Sequence, residues 1–225
     1  MSNLSFNLTG HGQISLNVEN LVIAGWTGRD SAMVEHHIAE LEAIGVMRPK
    51  TVPCFYRVAA SLLTQADTIQ IPGTDSSGEM EFVLYSSPHV LLVGVGSDHT
   101  DRKVESYGVT VSKQMCAKPV GTELWRFDEA AAHWDTLLMR AWRTRGGERL
   151  LYQEGPVSRM LEPRDLIARC TGKTPFAAGT AMFCGTQAVL TDIGFGERFD
   201  IELIDERLGR NLRYAYSVET LPNEG

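Results

Sequence analysis

Two glutamates, Glu79 and Glu81, stand one residue apart at the head of the apolar run 82–85. A second apolar run, 89–95, leads into Gly96-Ser97-Asp98-His99. Alternate side chains of a strand share a face, so Glu79 and Glu81 project together. Asp98 sits where the next strand breaks, on a glycine-flanked loop that can deliver a ligand. Three carboxylates carried by rigid elements suit a hard divalent cation, Mg²⁺, Mn²⁺ or Ca²⁺, because such ions take oxygen donors. A solvated acidic strand face is the plainer alternative for the Glu-x-Glu pair.

Other residue types fit chemistry around such a centre. His37 and Glu40 are helix neighbours by spacing, so the carboxylate could orient the imidazole to take a proton from water. His36 competes for that role, and an ordinary surface pair is the alternative. Lys113 and Lys118 flank Met115-Cys116 in an otherwise uncharged stretch, where an ammonium could stabilise an oxyanion or hold a carboxylate. Arg57 could clamp a carboxylate. Gly185-Thr186 offers a hydroxyl and backbone N–H groups at a turn. His99 adjoins Asp98, but nothing in the sequence places its ring. Cys116 lacks any legible activating partner. Trp125, Trp134 and Trp142 read as core or dimer-interface residues.

The elements that must position these residues are mostly short strands. Residues 3–24 alternate or run apolar between turns. A helix follows, capped by Asp30 or Ser31, with Val34, Ile38 and Leu41 as its core stripe and Gly45 as its stop. Residues 50–72 give an extended entry, a short Ala/Leu segment, a turn at Ala66-Asp67 and a strand. A second helix is expected over 128–143, with Ala131, Leu138 and Trp142 on one side and Gly146-Gly147 ending it. A strand over 148–154, a short helix from Pro163 to Cys170, a tight small-residue segment at 176–186 and a closing hairpin from 198 to 221 complete the chain.

Composition sets bounds. At 225 residues the chain reads as one domain, 1–225, with a full core. A content of 43% hydrophobic and 22% charged residues excludes disorder. The longest apolar run is too short to span a membrane. The N-terminus lacks the basic and apolar regions of an export signal, so a cytoplasmic location is expected. Four scattered cysteines without a CxxC pair fit free thiols in a reducing compartment. A net charge of -7 argues against nucleic acid, though not against a small anionic substrate.

In this order the motifs resemble those of the fumarylacetoacetate hydrolase superfamily, in a divergent, uncharacterised branch, from about Gly28 to the C-terminus. The family's Gly-Arg and His-x-x-Glu helix resemble Gly28-Arg29 and His37–Glu40. Its aromatic–basic segment resembles Phe55-Tyr56-Arg57, and its Glu-x-Glu resembles Glu79-Met80-Glu81. Its Gly-Asn-Asp loop with a later Arg resembles Gly96-Ser97-Asp98 and Arg102. Its active-site Lys resembles Lys113, and its late Gly-Thr resembles Gly185-Thr186. Four departures stand out. The stretch between Gly28-Arg29 and His37 is longer than usual, Glu105 replaces the family's Gln, Arg57 stands where Lys is commoner, and 128–143 looks like a helical insertion.

The resemblance implies an α+β, mainly β fold: a mixed β-sandwich roll with peripheral helices, and residues 1–48 as N-terminal strands with a lid-like helix. It implies a metal-dependent hydrolase that cleaves a C–C bond in a 2,4-dioxo acid, and a homodimer. Glu79, Glu81 and Asp98 would hold Mg²⁺, or Mn²⁺ or Ca²⁺. His37, Glu40 and Lys113 would be catalytic. Arg57, Arg102, Glu105 and Thr186 would contact substrate. Decarboxylation, tautomerisation or hydration of a 2-oxo acid on the same site, and non-catalytic ligand binding, are the alternatives.

Overall fold

The structure is a computed structural model and describes residues 1–43, 48–172 and 174–224, without the side chains of His37, Glu40, Leu41 and Ala43. Two sheets make its body. The larger has eight strands in the spatial order β2 (Gly12–Val18), β1 (Ser2–Leu8), β12 (Glu123–Arg126), β9 (Leu91–Ser97), β8 (Met80–Ser86), β15 (Thr180–Phe183), β3 (Asn20–Gly25) and β4 (Cys54–Val58). The second has five, in the order β14 (Glu148–Pro156), β13 (Leu138–Arg145), β16 (Arg198–Asp205), β17 (Arg210–Leu221) and β6 (Thr68–Pro72). Both are mixed: β1 with β12, β3 with β15, and β6 with β17 run parallel, and the other pairs run antiparallel. This is the mainly-β architecture expected from the motifs.

The central strand β8 is buried on both faces, which is why it reads as a continuous apolar run rather than an alternating one. Its Phe82 and Leu84 pack with Met139, Ile201 and Leu203 of the second sheet. Val83 and Tyr85 point the other way and pack with Leu4, Phe6 and Leu92. Glu79 and Glu81 therefore lie on the Val83 side by strand parity.

Short elements surround the end of β8. Two-strand pairs join β10 (Thr100–Asp101) to β7 (Ser76–Ser77) and β11 (Lys118–Pro119) to β5 (Leu63–Thr64). Helices α2 (Arg102–Glu105) and α3 (Val109–Met115) lie between β10 and β11. Helix α1 (Ser31–Ala43) begins as expected, because the Asp30 carboxylate accepts the Ala32 and Met33 N–H groups at 3.0 and 3.1 Å. Ile38 of its core stripe is buried, whereas the proposed stop at Gly45 and the Leu41 side chain lie outside the described residues. Helix α5 (Pro163–Thr171) has its proline in the first turn and Glu162 as its cap.

The helix expected over 128–143 is not formed. Only α4 (Phe127–Ala130) and a 3₁₀ segment, Ala131–Thr136, are helical, and β13 begins at Leu138. Met139, Ala141 and Arg143 are buried and alternate with half-buried Arg140 and Trp142, a period of two that pairs on both sides with β14 and β16. Partners on both edges override a helical reading of the same apolar positions. Gly146-Gly147 is consequently a hairpin turn rather than a helix stop. Arg145 pairs with Glu148 across it, and φ is 59° and 79° at the two glycines, the type I′ pattern. Trp125 and Trp134 are core residues, while Trp142 stacks under the Arg149 guanidinium at 4.2 Å.

Replacing Gly146 or Gly147 with Ala should destabilise the protein by about 1–2 kcal/mol each, because both positions are left-handed. Gly146→Asn should be nearly neutral, since Asn-Gly suits the same turn. Urea denaturation of the three variants checks the hairpin assignment.

Candidate metal centre

Strand pairing brings the three carboxylates to one face. In the antiparallel β8–β9 ladder Glu81 lies opposite Gly96, and the Asp98 N–H donates to the Glu79 carbonyl at 2.9 Å, one step further along. Side chains directly opposite in such a ladder share a face. Glu79, Glu81 and Asp98 each present an oxygen within 4.8 Å of the others. Gly96 keeps the gap narrow, because a Cβ there would meet Phe183 at 2.9 Å and the Pro119 carbonyl at 3.0 Å.

Each carboxylate is held differently. The Glu79 Oε1 is 2.9 Å from Arg102, which also donates to Ser77 Oγ at 2.7 Å and pairs with Glu105 at 3.0 Å. Glu81 is buried and its Oε2 accepts the Gly185 N–H at 2.6 Å, leaving the other oxygen for a cation. Gly185 has φ 105°, and a Cβ would meet the Thr27 hydroxyl at 1.9 Å, so only glycine can aim this N–H. Burial, then the charges of Asp98 and Glu79, push the Glu81 carboxyl well above the usual carboxylate range.

Asp98 is fully buried between two ammonium groups. Lys113 Nζ donates to its Oδ2, and Lys118 Nζ lies 3.0 Å from its Oδ1. The second contact is an ion pair short of an aligned hydrogen bond, and Oδ1 accepts no other. Burial raises the Asp98 carboxyl, but the Lys113 and Lys118 charges outweigh it and hold the group at about 2. Lys113 comes from the inward side of α3, lies 3.8 Å from Glu79 Oε2 and is 5.9 Å from the centroid of the Tyr56 ring. Lys118 also donates to the His99 carbonyl. An all-oxygen set of three carboxylates, with lone pairs left on two of them, fits a hard dication.

The family described as "Protein of unknown function (DUF2848)" matches residues 24–216. The chain belongs to this family. Among curated proteins there is no match. A crystal structure of Cg1458 with inhibitor is similar at TM-score 0.67 and 16% identity, covering 92% of this chain and 78% of that one. A structure of 2-keto-3-deoxy-D-arabinonate dehydratase complexed with magnesium and 2,5-dioxopentanoate is similar at TM-score 0.63 and 13% identity, covering 95% and 78%. At such identities the likeness is one of fold. The shared fold agrees with the fumarylacetoacetate hydrolase type of fold expected from the motifs.

Within this DUF2848 chain the structure gathers Glu79, Glu81, Asp98, Arg102, Glu105 and Lys113. It does not gather Arg57. That side chain is exposed on β4, alternates with the Tyr56 that faces Lys113, and donates to Asn20 at 2.6 Å. The Thr186 hydroxyl donates to the Met80 carbonyl at 2.7 Å and accepts from Gln153 at 2.7 Å, so its hydrogen is committed to holding β8. The side chains of His37 and Glu40 lie outside the described residues, and His36 is exposed. His99 turns its ring away from the carboxylates, toward Ser76 at 2.7 Å and Tyr216 at 3.0 Å. Burial, then Lys118 and Arg102, push that imidazole down to about 3, which keeps it neutral. Sequence reasoning undervalued Lys118 and missed Tyr56. The available signals were a lysine inside the otherwise uncharged stretch 114–121, and an aromatic one step out of phase with Arg57.

Asp98→Asn should cost about 3–5 kcal/mol, because it leaves buried ammonium groups without their anion. That corresponds to roughly 6–20 °C in Tm for a chain of this size. The native carboxyl sits at about 2 against an ordinary 3.8, so its contribution is present above pH 3.8 and is lost as pH falls through about 2. Urea denaturation of mutant and parent at pH 7 and pH 2.5 checks this, with the gap narrowing at the lower pH.

Proposed function

We propose that this protein is a divalent-metal-dependent enzyme acting on a small 2-oxo acid, and that it hydrolyses a C–C bond in a 2,4-dioxo acid of the acylpyruvate kind. The observation that carries this reading is the convergence of Glu79, Glu81 and Asp98 within 4.8 Å beside the Lys113 ammonium. Those three residues would hold the cation. When bound, Mg²⁺ or Mn²⁺ supplies a Lewis acid that stabilises negative charge on the 2-oxo oxygen as the bond breaks.

The remaining roles fall to side chains. Lys113 is largely buried and charged. Burial lowers its pKa, but Asp98 and Glu79 outweigh that and raise it above the ordinary lysine range. Such an ammonium suits the substrate carboxylate or a developing oxyanion. Arg102, fixed by Glu79, Ser77 and Glu105, lends positive charge at the rim. His37, three residues from Glu40 in the sequence, would take a proton from water. The resulting hydroxyl adds to the distal carbonyl carbon, and the bond between that carbon and the adjacent methylene breaks. The methylene carbon takes up the proton. One water is consumed, and the products are a carboxylic acid and pyruvate.

A lyase reading, with loss of water from a 2-oxo acid, is favoured by the likeness to the dehydratase complexed with magnesium and 2,5-dioxopentanoate. It needs no water-activating His37.

The protein with Mg²⁺ should release pyruvate from an acylpyruvate. Glu81→Gln should lower metal affinity measured by calorimetry at least about 100-fold and abolish turnover. It should stay folded, because the side-chain amide oxygen can still accept the Gly185 N–H. Turnover retained by that variant would sink the metal mechanism. Release of water from a 2-oxo acid, with no acylpyruvate cleavage, would establish the lyase reading instead.

A further inference from the structure

A strained aromatic pair stands beside the centre. Trp26 follows Gly25 at the end of β3, and its φ is 58°, the one positive φ at a non-glycine position among the described residues. A bulky side chain rarely adopts that conformation, and such outliers persist at sites where the surrounding structure enforces them.

What surrounds Trp26 is Gly25 and Tyr56. Tyr56 of β4 pairs with Ile23 of β3, and its ring leans along the ladder over Gly25. A Cβ at Gly25 would meet that ring at 3.0 Å, so glycine leaves the ring room to lie there. The Trp26 indole N–H donates to the Tyr56 hydroxyl, which also meets the Cys54 sulfur. With its polar end engaged, the Tyr56 ring offers a ligand mainly carbon surface. Both aromatic side chains are half-buried, so part of each remains accessible.

This pair flanks the metal centre. Lys113 Nζ lies 5.9 Å from the Tyr56 ring centroid and 3.8 Å from Glu79 Oε2. A 2-oxo acid whose carboxylate or oxyanion met that ammonium would have the ring at its side. Resting on the 2-oxo acid reading above, we propose that Trp26 and Tyr56 form an aromatic wall that selects 2-oxo acids carrying an aromatic group beyond the 2-oxo carbon. Ring against ring adds specific attraction to the burial of apolar surface. The strained backbone at Trp26 is what sets the indole against Tyr56.

The test uses the whole protein with Mn²⁺, and calorimetry of pyruvate and phenylpyruvate. Neither ligand has the 4-oxo group that the proposed hydrolysis needs, so binding is read apart from turnover. Wild type should bind phenylpyruvate about ten-fold or more tightly than pyruvate. Tyr56→Ala should bring the two affinities within about two-fold of each other, and Tyr56→Phe, which keeps the ring, should retain most of the preference. Trp26→Gly, which suits the left-handed backbone but removes the indole, should lower the preference at least about three-fold. If Tyr56→Ala does not fold, Tyr56→Leu takes its place. Were Tyr56 only a support for Lys113, its loss would weaken both ligands equally and leave their ratio unchanged, which overturns the inference. Wild type that binds the two ligands equally also overturns it, while leaving the 2-oxo acid reading standing. Wild type that binds neither overturns that reading, and this inference with it.

Discussion

The Asp98 carboxylate, buried between the Lys113 and Lys118 ammonium groups, is the constraint around which the rest is arranged. Taking ions out of water costs several kcal/mol each, and attraction offsets that only when the geometry is close. The geometry here draws on separate pieces of chain: the end of β9, the inward side of α3, and β11. Each piece must be in place before the others are tolerable. The pair of ammonium groups also explains why three carboxylates can crowd within 4.8 Å inside the protein. A cluster of like charges is strained, and that strain is what a dication would relieve.

A neutral network ties this charged cluster to the second sheet. The Tyr216 hydroxyl on β17 donates to Ser97 Oγ at 2.8 Å, so its oxygen must accept from the His99 Nδ1–H. The His99 Nε2 is then the acceptor for the Ser76 hydroxyl. Ser97 Oγ also takes the Glu79 N–H at 3.0 Å. Every donor in this buried series has one direction, and such series are stiff because each bond polarises the next. Gln153 on β14 makes a second tie, accepting the Met80 N–H and donating to Thr186. The backbone under Glu79 and Glu81 is thereby gripped from the opposite sheet.

Much of this is legible in the sequence. Asp30 as a helix cap, Pro163 at a helix start and the closing hairpin are local signals, and local chemistry settles them. Glu79 and Glu81 share a face because strand parity demands it. The segment 128–143 reads as helical because Ala131, Leu138 and Trp142 fit that spacing, yet Leu138 and Trp142 equally share one face of β13. What decides between the two periods is the presence of β14 and β16 on either edge, which no single segment records. Arg57 stands apart from the cluster for a related reason. Its residue type suits a carboxylate clamp, but its parity on β4 sends it to the face away from Tyr56 and Lys113.

The sequence by itself determined which residue types could bind a hard cation, the strand parity that pairs Glu79 with Glu81, and an order of motifs that resembles the fumarylacetoacetate hydrolase superfamily's. Only the tertiary structure decided that Asp98 meets them, since the β8–β9 register places it opposite Glu79. Only it decided that Lys118 is buried against Asp98 while His99, next in sequence to Asp98, turns away. Those outcomes depend on contacts between residues far apart in the chain. Their energies are set by what surrounds a charge rather than by the residue that carries it.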